Sequence, residues 1–452
     1  MRRGRATIAC VMTCLACRTM SAGAQGPRLA GHWEGTVGRG ESAASIRLDV
    51  SPVGQIPQAR FDAPRAGVLG WPARVIAADP TATQPQAGAP VRIALPNGWQ
   101  LEGRLVSVDR FSGTLRGGEA SAPFVLTRRP EAPRPYRTTD VVYRNGDVTL
   151  AGTVYLPLRR GAHPAVVFAH GSGPMDREAD LFYADYLVRR GIVVLLYDKR
   201  GVGESTGEWR GATLEDLTSD AVAGVGLLRG RSEVDAYRVG VAGRSQGGQL
   251  ALLAAARAPS VAFAVNISGA AVRPWQQMNY QAEAELRRDS VPEEATREAL
   301  AFMDQKWAVA ATGQGWDSLA AVVARARAAR RPWLRYVQVP DKLEDIRESW
   351  ETMNYDPDQT LAAVRQPALG LFGERDVSTP VRETVAAMRR GLARAGNREV
   401  TIRVFPRADH ALLVWAGGGP DLVLPRYPAG YPEVIARWIQ ERARHHPSKR
   451  TR

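Results

Sequence analysis

The residues best suited to do chemistry lie in the motif Gly243-Arg244-Ser245-Gln246-Gly247. In a nucleophile elbow, a serine flanked in this way sits on a sharp turn directly after a strand and directly before a helix. The segment 238–242 is rich in valine and predicts the strand, and the leucine- and alanine-rich segment 249–256 predicts the helix. We therefore expect Ser245 to be a catalytic nucleophile.

A second Gly-x-Ser-x-Gly sequence, Gly203-Glu204-Ser205-Thr206-Gly207, shows that the motif alone is a weak signal. The predicted strand before it ends at Tyr197, several residues too early, and no helix follows it at once. This context favours Ser245 over Ser205. The alternative for Ser245 is a glycine-rich turn with a structural role.

A serine hydroxyl needs a base to remove its proton and a carboxylate to orient that base. His410 lies after the last predicted strand, and in elbow-type sites the acid and then the histidine follow the nucleophile along the chain. The other five histidines lie upstream of the nucleophile or in the basic tail. Asp376 follows the predicted strand 368–372 and is the favoured acid, with Glu374 as the alternative. The remaining alternative is that Asp376 and Glu374 are both ordinary charged residues of a loop.

The developing oxyanion needs backbone N–H donors that are already in place. We expect one from Gln246, directly after the nucleophile, and the other from Ser172 in the loop His170-Gly171-Ser172-Gly173-Pro174. Glycines in this loop would let the backbone approach a substrate; the alternative is a plain glycine turn. We expect no metal and no cofactor, since no cysteine–histidine cluster or phosphate-binding glycine loop is found.

From about residue 140 onward, predicted strands and helices alternate along the chain. One helix, 213–228, begins with Thr213 and Asp216, which can form a capping box. This alternation predicts an α/β fold with a mostly parallel sheet and helices on both faces. The predicted strands are 148–156, 165–169, 192–197, 238–242, 261–267, 368–372 and 400–405.

Two further regions frame this pattern. Residues 25–135 read as a β-rich N-terminal domain that ends in the proline-rich linker 129–135, and residues 136–452 form the catalytic domain. Residues 271–360 contain helical patterns and no clear strand, so we expect an inserted helical cap.

The cap holds five of the eleven tryptophans and three methionines. We expect the cap to cover Ser245, because ligands bind outside the carboxyl ends of the strands in α/β folds. The hypothesis is that at least two of these tryptophans face the pocket. The alternative is that they pack the helices of the cap. The residues are Trp275, Trp307, Trp316, Trp333, Trp350, Met278, Met303 and Met353.

The formal net charge is +14, but the arginines are scattered, so we expect a solvated basic surface and no nucleic-acid partner. Residues 1–24 have the basic start, short apolar run and small residues of a signal peptide, which predicts an exported, periplasmic or extracellular protein. They contain all three cysteines, Cys10, Cys14 and Cys17, and a lipoprotein signal that ends at Cys17 is the alternative. No stretch predicts a stable membrane span.

Several motifs together resemble bacterial secreted α/β-hydrolases of the esterase and serine-aminopeptidase-like group. The resemblance covers about residues 140–443, and Gly31-His32-Trp33-Glu34-Gly35 is similar to the N-terminal domain of many of them. It implies the α/β-hydrolase fold and a site-shaping role for the loop from Asp198 to Ser205. The motifs are His170–Pro174, Tyr197-Asp198-Lys199-Arg200-Gly201-Val202-Gly203-Glu204-Ser205, Gly243-Arg244-Ser245-Gln246-Gly247-Gly248, Gly373-Glu374-Arg375-Asp376 and Asp409-His410.

The expected activity is hydrolysis of a carboxylic ester through an acyl-serine intermediate, with a small-molecule ester or a short acyl compound as the substrate. One alternative is an exopeptidase, amidase or acyl thioesterase that uses the same Ser245, Asp376 and His410. Another is a catalytically silent binding protein on a hydrolase scaffold.

Overall fold

A computed structural model of the protein describes residues 29–40, 43–51, 58–77, 90–118, 120–415 and 424–445. The expected signal peptide, 1–24, with its three cysteines lies outside the described residues, so export stays a prediction. Within the described part of the chain, no helix is both long and apolar enough to cross a bilayer.

The N-terminal β-rich region is a closed, antiparallel eight-stranded barrel. Each strand pairs with the next, and β1 also pairs with β8 to close the ring. Inward-facing side chains fill the interior, including the fully buried Trp33, Phe61, Phe111 and Phe124. The strands are β1 (Gly31–Val37), β2 (Ala44–Ser51), β3 (Gln58–Ala63), β4 (Val68–Ala77), β5 (Pro90–Ala94), β6 (Gln100–Ser107), β7 (Arg110–Gly117) and β8 (Ala120–Arg129).

The second sheet has eight strands in the order β16-β15-β14-β13-β11-β12-β10-β9. The strands from β11 to β16 are parallel, whereas β10 is antiparallel to both β12 and β9. The α/β prediction is confirmed. The strands are β9 (Tyr136–Asn145), β10 (Val148–Pro157), β11 (His163–Ala169), β12 (Val193–Tyr197), β13 (Val234–Arg244), β14 (Ala264–Ile267), β15 (Ala368–Gly373) and β16 (Val400–Phe405).

Helices cover both faces of this sheet. In β11, Val166 and Phe168 face a core with α1 and α10, whereas Ala165 and Val167 face a core with α2, α3 and α9. The helices are α1 (Leu181–Val188), α2 (Leu214–Arg229), α3 (Gln246–Arg257), α4 (Pro274–Arg288), α5 (Glu293–Thr312), α6 (Trp316–Ala328), α7 (Leu343–Met353), α8 (Pro357–Ala363), α9 (Val381–Arg394) and α10 (Glu433–His445).

The segment between β14 and β15 is helical and has a hydrophobic core of its own. Helices α4 to α7 contribute to that core, which includes Leu286, Phe302, Trp333 and Ile346. Helix α8 differs, because Leu361 packs into the core between the sheet and helices α3 and α9. In the following sections, "cap" means residues 274–353, that is, helices α4 to α7 with the segments between them.

The barrel contacts the α/β domain through specific groups. Arg60 donates two hydrogen bonds of 2.7 Å to the carboxylate of Glu178. The backbone N–H of Tyr427 donates to the carbonyl of Arg65 at 3.0 Å. Next to Arg65, a Cβ added to Gly67 would lie 2.1 Å from the hydroxyl oxygen of Tyr427. The turn at Gly67 therefore leaves no space between the barrel and Tyr427.

Replacement of Gly67 by Ala should destabilise the protein more than its backbone conformation alone explains. Gly67 has a φ of 70°, and a left-handed conformation costs a residue with a Cβ roughly 1–2 kcal/mol. Gly98 is the matched control, since its φ is 76° but an added Cβ would meet nothing within 4 Å. Thermal unfolding of both variants measures the difference. An equal loss in the two variants would contradict tight packing between Gly67 and Tyr427.

Candidate active site

Ser245 lies on the turn between the end of β13 and the start of α3, as the motif predicts. Its backbone has φ 55° and ψ −124°, a strained conformation for a residue with a side chain. The N–H of Ser245 donates to the carbonyl of Ile267 on the neighbouring strand at 2.8 Å, and its carbonyl accepts from Gly248 at 2.9 Å. The turn has the strand–serine–helix form of a nucleophile elbow.

The glycines of the motif are required by space. A Cβ on Gly247 would lie 2.2 Å from the carbonyl oxygen of Ala169, and one on Gly243 would lie 2.5 Å from the backbone of Gly247. Helix α3 can therefore begin directly against the end of β11. This contact also brings the following loop close to the elbow, since a Cβ on Gly171 would lie 3.8 Å from the Cβ of Ser245.

Ser205, in the other copy of the motif, is engaged in structural hydrogen bonds. Its hydroxyl donates to the carbonyl of Asp198 at 2.7 Å and accepts from the N–H of Ala151 at 3.0 Å. The residue is only 8% exposed. These bonds fasten the loop after β12 to β10, so Ser205 has a different environment from Ser245.

Asp376 and His410 are paired. The Nδ1 atom of His410 donates to Oδ2 of Asp376 at 2.8 Å, while Oδ1 accepts from the N–H groups of Ser378 and Thr379 at 2.8 Å each. Asp376 is 2% exposed. Three bonds thus fix a buried carboxylate beside one side of the imidazole. Among the described residues, no hydrogen bond joins His410 to Ser245.

Glu374, the alternative acid, is turned elsewhere, since its carboxylate accepts from the N–H of Arg407 at 2.9 Å. His170 is also unsuited to act as the base. Its side chain is buried, and Nε2 donates to the carbonyl of Tyr197. Burial also lowers the pKa of His170. The structure therefore pairs the predicted acid with the predicted base and separates both from the alternatives.

A cavity of about 380 Å³ opens beside Ser245 and also includes Ser172 and Gln246 in its lining. The backbone N–H groups of Ser172 and Gln246 have no acceptor among the described residues. For Gln246 this follows from its place as the first residue of a helix, where the N–H has no partner within the helix. The two expected oxyanion donors and the serine thus share one cavity.

The cap closes the other side of this cavity and contacts the acid loop. The side chain of Gln277 donates to the carbonyl of Ser378 at 3.1 Å, and the hydroxyl of Tyr280 donates to the carbonyl of Asp376 at 3.0 Å. Gln249 donates to the carbonyl of Ala270 at 3.1 Å. Helix α4 therefore connects the lining of the cavity with the loop that carries Asp376.

The hypothesis about the cap aromatics is wrong, because none of the five tryptophans is among the described residues that line the cavity. Trp333 stacks on Phe302 with ring centroids 5.1 Å apart, and the indole of Trp307 donates to Asn279 at 2.8 Å. Rings of this size supply the core that an inserted helical segment needs. The methionines do line the cavity: Met278, Met303 and Met353.

Three features of the site were missed by the sequence analysis: the glutamines of the cavity, Glu285, and the specific contact that Lys199, within the site-shaping loop 198–205, makes. Glutamines line the cavity from α3 and α4, and Glu285 is the one charged side chain among its described lining residues. Lys199 is 3% exposed and contacts the loop that holds Ser172. A signal for Lys199 existed, because lysine is rare in this arginine-rich chain and this one lies two residues after a buried strand.

Residues 161–414, more than half of the chain, match the family model of the serine aminopeptidases, S33. The chain belongs to the serine aminopeptidase S33 family. The match contains β11 to β16, Ser245, Asp376 and His410. The protein is therefore a hydrolase with the α/β-hydrolase fold, as the sequence resemblance implies.

Individual relatives match shorter parts of the chain. Esterase EstD of Thermotoga maritima is 31% identical over 158 residues, 32% of this chain and 36% of EstD. Quorum-quenching protein AidA of Acinetobacter baumannii is 33% identical over 134 residues, 29% of this chain and 42% of AidA. The chain thus matches less than half the length of either relative.

Solved structures with a similar fold include an esterase of Pyrococcus furiosus. It is 18% identical, with a TM-score of 0.45, over 68% of this chain and 91% of the esterase. The α/β hydrolase GrgF of a Penicillium species is also 18% identical, with a TM-score of 0.43, over 68% of this chain and 99% of GrgF.

Substitution of Asp376 by Asn should lower kcat by about 10³- to 10⁴-fold, because an amide cannot hold the His410 imidazole in the same tautomer. The matched control is Glu374→Gln, which removes the neighbouring carboxylate and should change kcat by less than about threefold. Steady-state hydrolysis of an activated ester measures both. Full activity of Asp376→Asn together with an inactive Glu374→Gln would transfer the role of acid to Glu374.

Proposed function

We propose that the protein is a serine esterase that cleaves small carboxylic esters through an acyl-serine intermediate. The observation that carries this proposal is the strained turn at Ser245, which lines a cavity. The hydroxyl of Ser205, in contrast, is engaged in a hydrogen bond to the backbone of Asp198. Strain of this kind persists where the surrounding structure enforces it, and it concentrates at functional sites.

In the proposed acylation step, the Oγ atom of Ser245 forms a bond to the carbonyl carbon of the ester. His410 takes the hydroxyl proton through Nε2 and returns it to the alkoxide oxygen as the carbon–oxygen bond breaks. Asp376 accepts a hydrogen bond from Nδ1–H of His410 and stabilises the imidazolium that forms. The products of this step are the free alcohol and the acyl-serine.

Deacylation repeats the sequence with water. His410 removes a proton from the water, the hydroxyl oxygen bonds to the acyl carbon, and Ser245 leaves with the proton returned to Oγ. In both steps the carbonyl oxygen becomes negative. The N–H groups of Gln246 and Ser172 would stabilise it, and preorganised donors of this kind contribute a large share of catalysis.

The lining of the cavity supports a small acyl substrate with both apolar and polar parts. Three methionines provide a flexible apolar wall, and carboxamides from Gln249, Gln277 and Gln281 lie on the same surface. A volume of about 380 Å³ is at the lower end of the range for small-molecule sites. The name of the relative EstD is consistent with an ester as the substrate.

Replacement of Ser245 by Ala should abolish ester hydrolysis, with a loss of about 10⁴-fold or more, and leave the fold intact. It should also abolish covalent labelling by a fluorophosphonate probe. Ser205→Ala is the control from the same motif and should keep labelling at Ser245. Absence of fluorophosphonate labelling in the wild-type protein would support a catalytically silent binding protein. Labelling at Ser205 would show that Ser205, and not Ser245, is the nucleophile.

Glu285 favours a second candidate, a hydrolase for substrates that carry an amino group, such as aminoacyl esters or amides. The carboxylate of Glu285 accepts a hydrogen bond from the side chain of Gln281 at 2.9 Å. It is the one charged group among the described residues that line the cavity, so it could bind an ammonium group of the substrate.

Glu285→Gln should therefore distinguish the two candidates. For the amine-binding hydrolase, kcat/KM for an aminoacyl ester should fall about tenfold or more, while that for the acyl ester of equal size without the amine stays within about twofold. If both rates change equally, Glu285 does not bind an amine and the plain esterase is favoured. A panel of paired substrates with and without the amino group provides the measurement.

A further inference from the structure

Lys199 lies behind the loop 170–174 and binds its backbone. The Nζ atom donates to the carbonyl of Gly171 at 2.6 Å and to the carbonyl of Gly173 at 2.8 Å. The residue is 3% exposed, and its bond to Gly171 is buried while its bond to Gly173 is partly buried. Burial lowers the pKa of Lys199 to about 8, so the amine is protonated in most molecules at pH 7. Bonds from a charged donor are stronger than neutral ones.

The carbonyl of Gly171 belongs to the same planar peptide unit as the N–H of Ser172. In a trans peptide these two groups point in opposite directions. An ammonium that binds the Gly171 carbonyl from one side therefore turns the Ser172 N–H to the other side. Ser172 lines the cavity with Ser245 and Gln246, and its N–H has no acceptor among the described residues.

The loop needs such a restraint because of its sequence. Gly171 and Gly173 flank Ser172, and Gly173 has a φ of 88°, which shows how freely this backbone can turn. If the Gly171–Ser172 peptide turned over, its carbonyl oxygen would face the site in place of the N–H and would repel an oxyanion. Lysine suits the task better than arginine, since a compact ammonium can bind two neighbouring carbonyls.

We propose that Lys199 is a positioning residue that fixes the Gly171–Ser172 peptide so that the Ser172 N–H faces the developing oxyanion. This inference rests on the proposed function, because it assumes acyl transfer at Ser245. Lys199 would therefore affect the stability of the transition state rather than substrate binding, although it does not belong to the group Ser245, Asp376 and His410.

The test compares Lys199→Met with Lys306→Met. Lys306 is the matched control, since it is 2% exposed, also has its pKa lowered to about 8 by burial, and donates to a backbone carbonyl, that of Gln338 in the cap, at 3.2 Å. Three quantities are measured for each variant: the melting temperature, kcat and KM for one ester, and the inhibition constant of a trifluoromethyl ketone with the same acyl group. This ketone forms a tetrahedral oxyanion with an active serine.

Lys199→Met should lower kcat about 10- to 100-fold with KM changed less than threefold, since a lost oxyanion donor costs about 10²- to 10³-fold and a misplaced one costs part of that. The ketone should bind more weakly by about the same factor as kcat/KM falls. Lys306→Met should lower the melting temperature but keep kcat within about twofold; because Gln338 lines the cavity, any kinetic change in this variant should appear in KM. If Lys199→Met is not folded, Lys199→Gln and Lys306→Gln take its place, and a smaller loss of kcat is expected because the amide keeps a donor.

The inference is overturned if the Lys199 variant and the Lys306 variant show the same kinetic change, or if the loss at Lys199 appears in KM and not in ketone binding. Fluorophosphonate labelling of the wild-type protein separates this failure from that of the proposed function. Labelling at Ser245 with no specific effect of Lys199 rejects the positioning role alone, whereas no labelling rejects the acyl-transfer chemistry on which it rests.

Discussion

The close approach of helix α3 to the end of strand β11 is the constraint on which the arrangement of the site depends. Gly247 lacks the Cβ that would collide with the carbonyl of Ala169, so the first turn of the helix can press against the strand. Ser245 must then turn sharply, with a φ of 55°, to join β13 to that helix. The same contact places the loop after β11 beside the serine. One packing contact thus brings the proposed nucleophile and both proposed oxyanion donors to one cavity.

Polar contacts extend this local constraint to neighbouring elements. Lys199, after β12, holds the loop after β11, while Asp376, after β15, is fixed by N–H groups of its own loop and by His410. Gln277 connects the cap with the loop of Asp376. These residues follow different strands but meet at the carboxyl edge of a parallel sheet, where the strands end together. Hydrogen bonds within and between these loops therefore fix the relative positions of groups that follow different strands.

The sequence predicts those parts of the fold that depend on local pattern. Strand β13, the turn at Ser245 and helix α3 follow from adjacent residues, and the capping box of Thr213 and Asp216 is present as expected. Closure of the barrel could not be predicted, because it depends on the pairing of β1 with β8 about 90 residues later. Strand β9 is an exposed edge with mostly polar residues and gives little hydrophobic signal. The role of the tryptophans was ambiguous, since apolar side chains at helical spacing suit both a cavity wall and a helical core.

Hydrogen bonds shape the turn that carries His410 and join Val414, shortly after it, to another segment of the chain. Asp409 accepts the N–H groups of Ala411 and Leu413 at 2.9 Å each, which shapes the turn around the histidine. Further along, Val414 pairs with Arg426 through two backbone hydrogen bonds. Leu424, two residues before Arg426, is buried in the hydrophobic core of the barrel. The segment that pairs with Val414 is thus joined through Leu424 to the core of the N-terminal barrel, although the barrel supplies none of the proposed reacting groups.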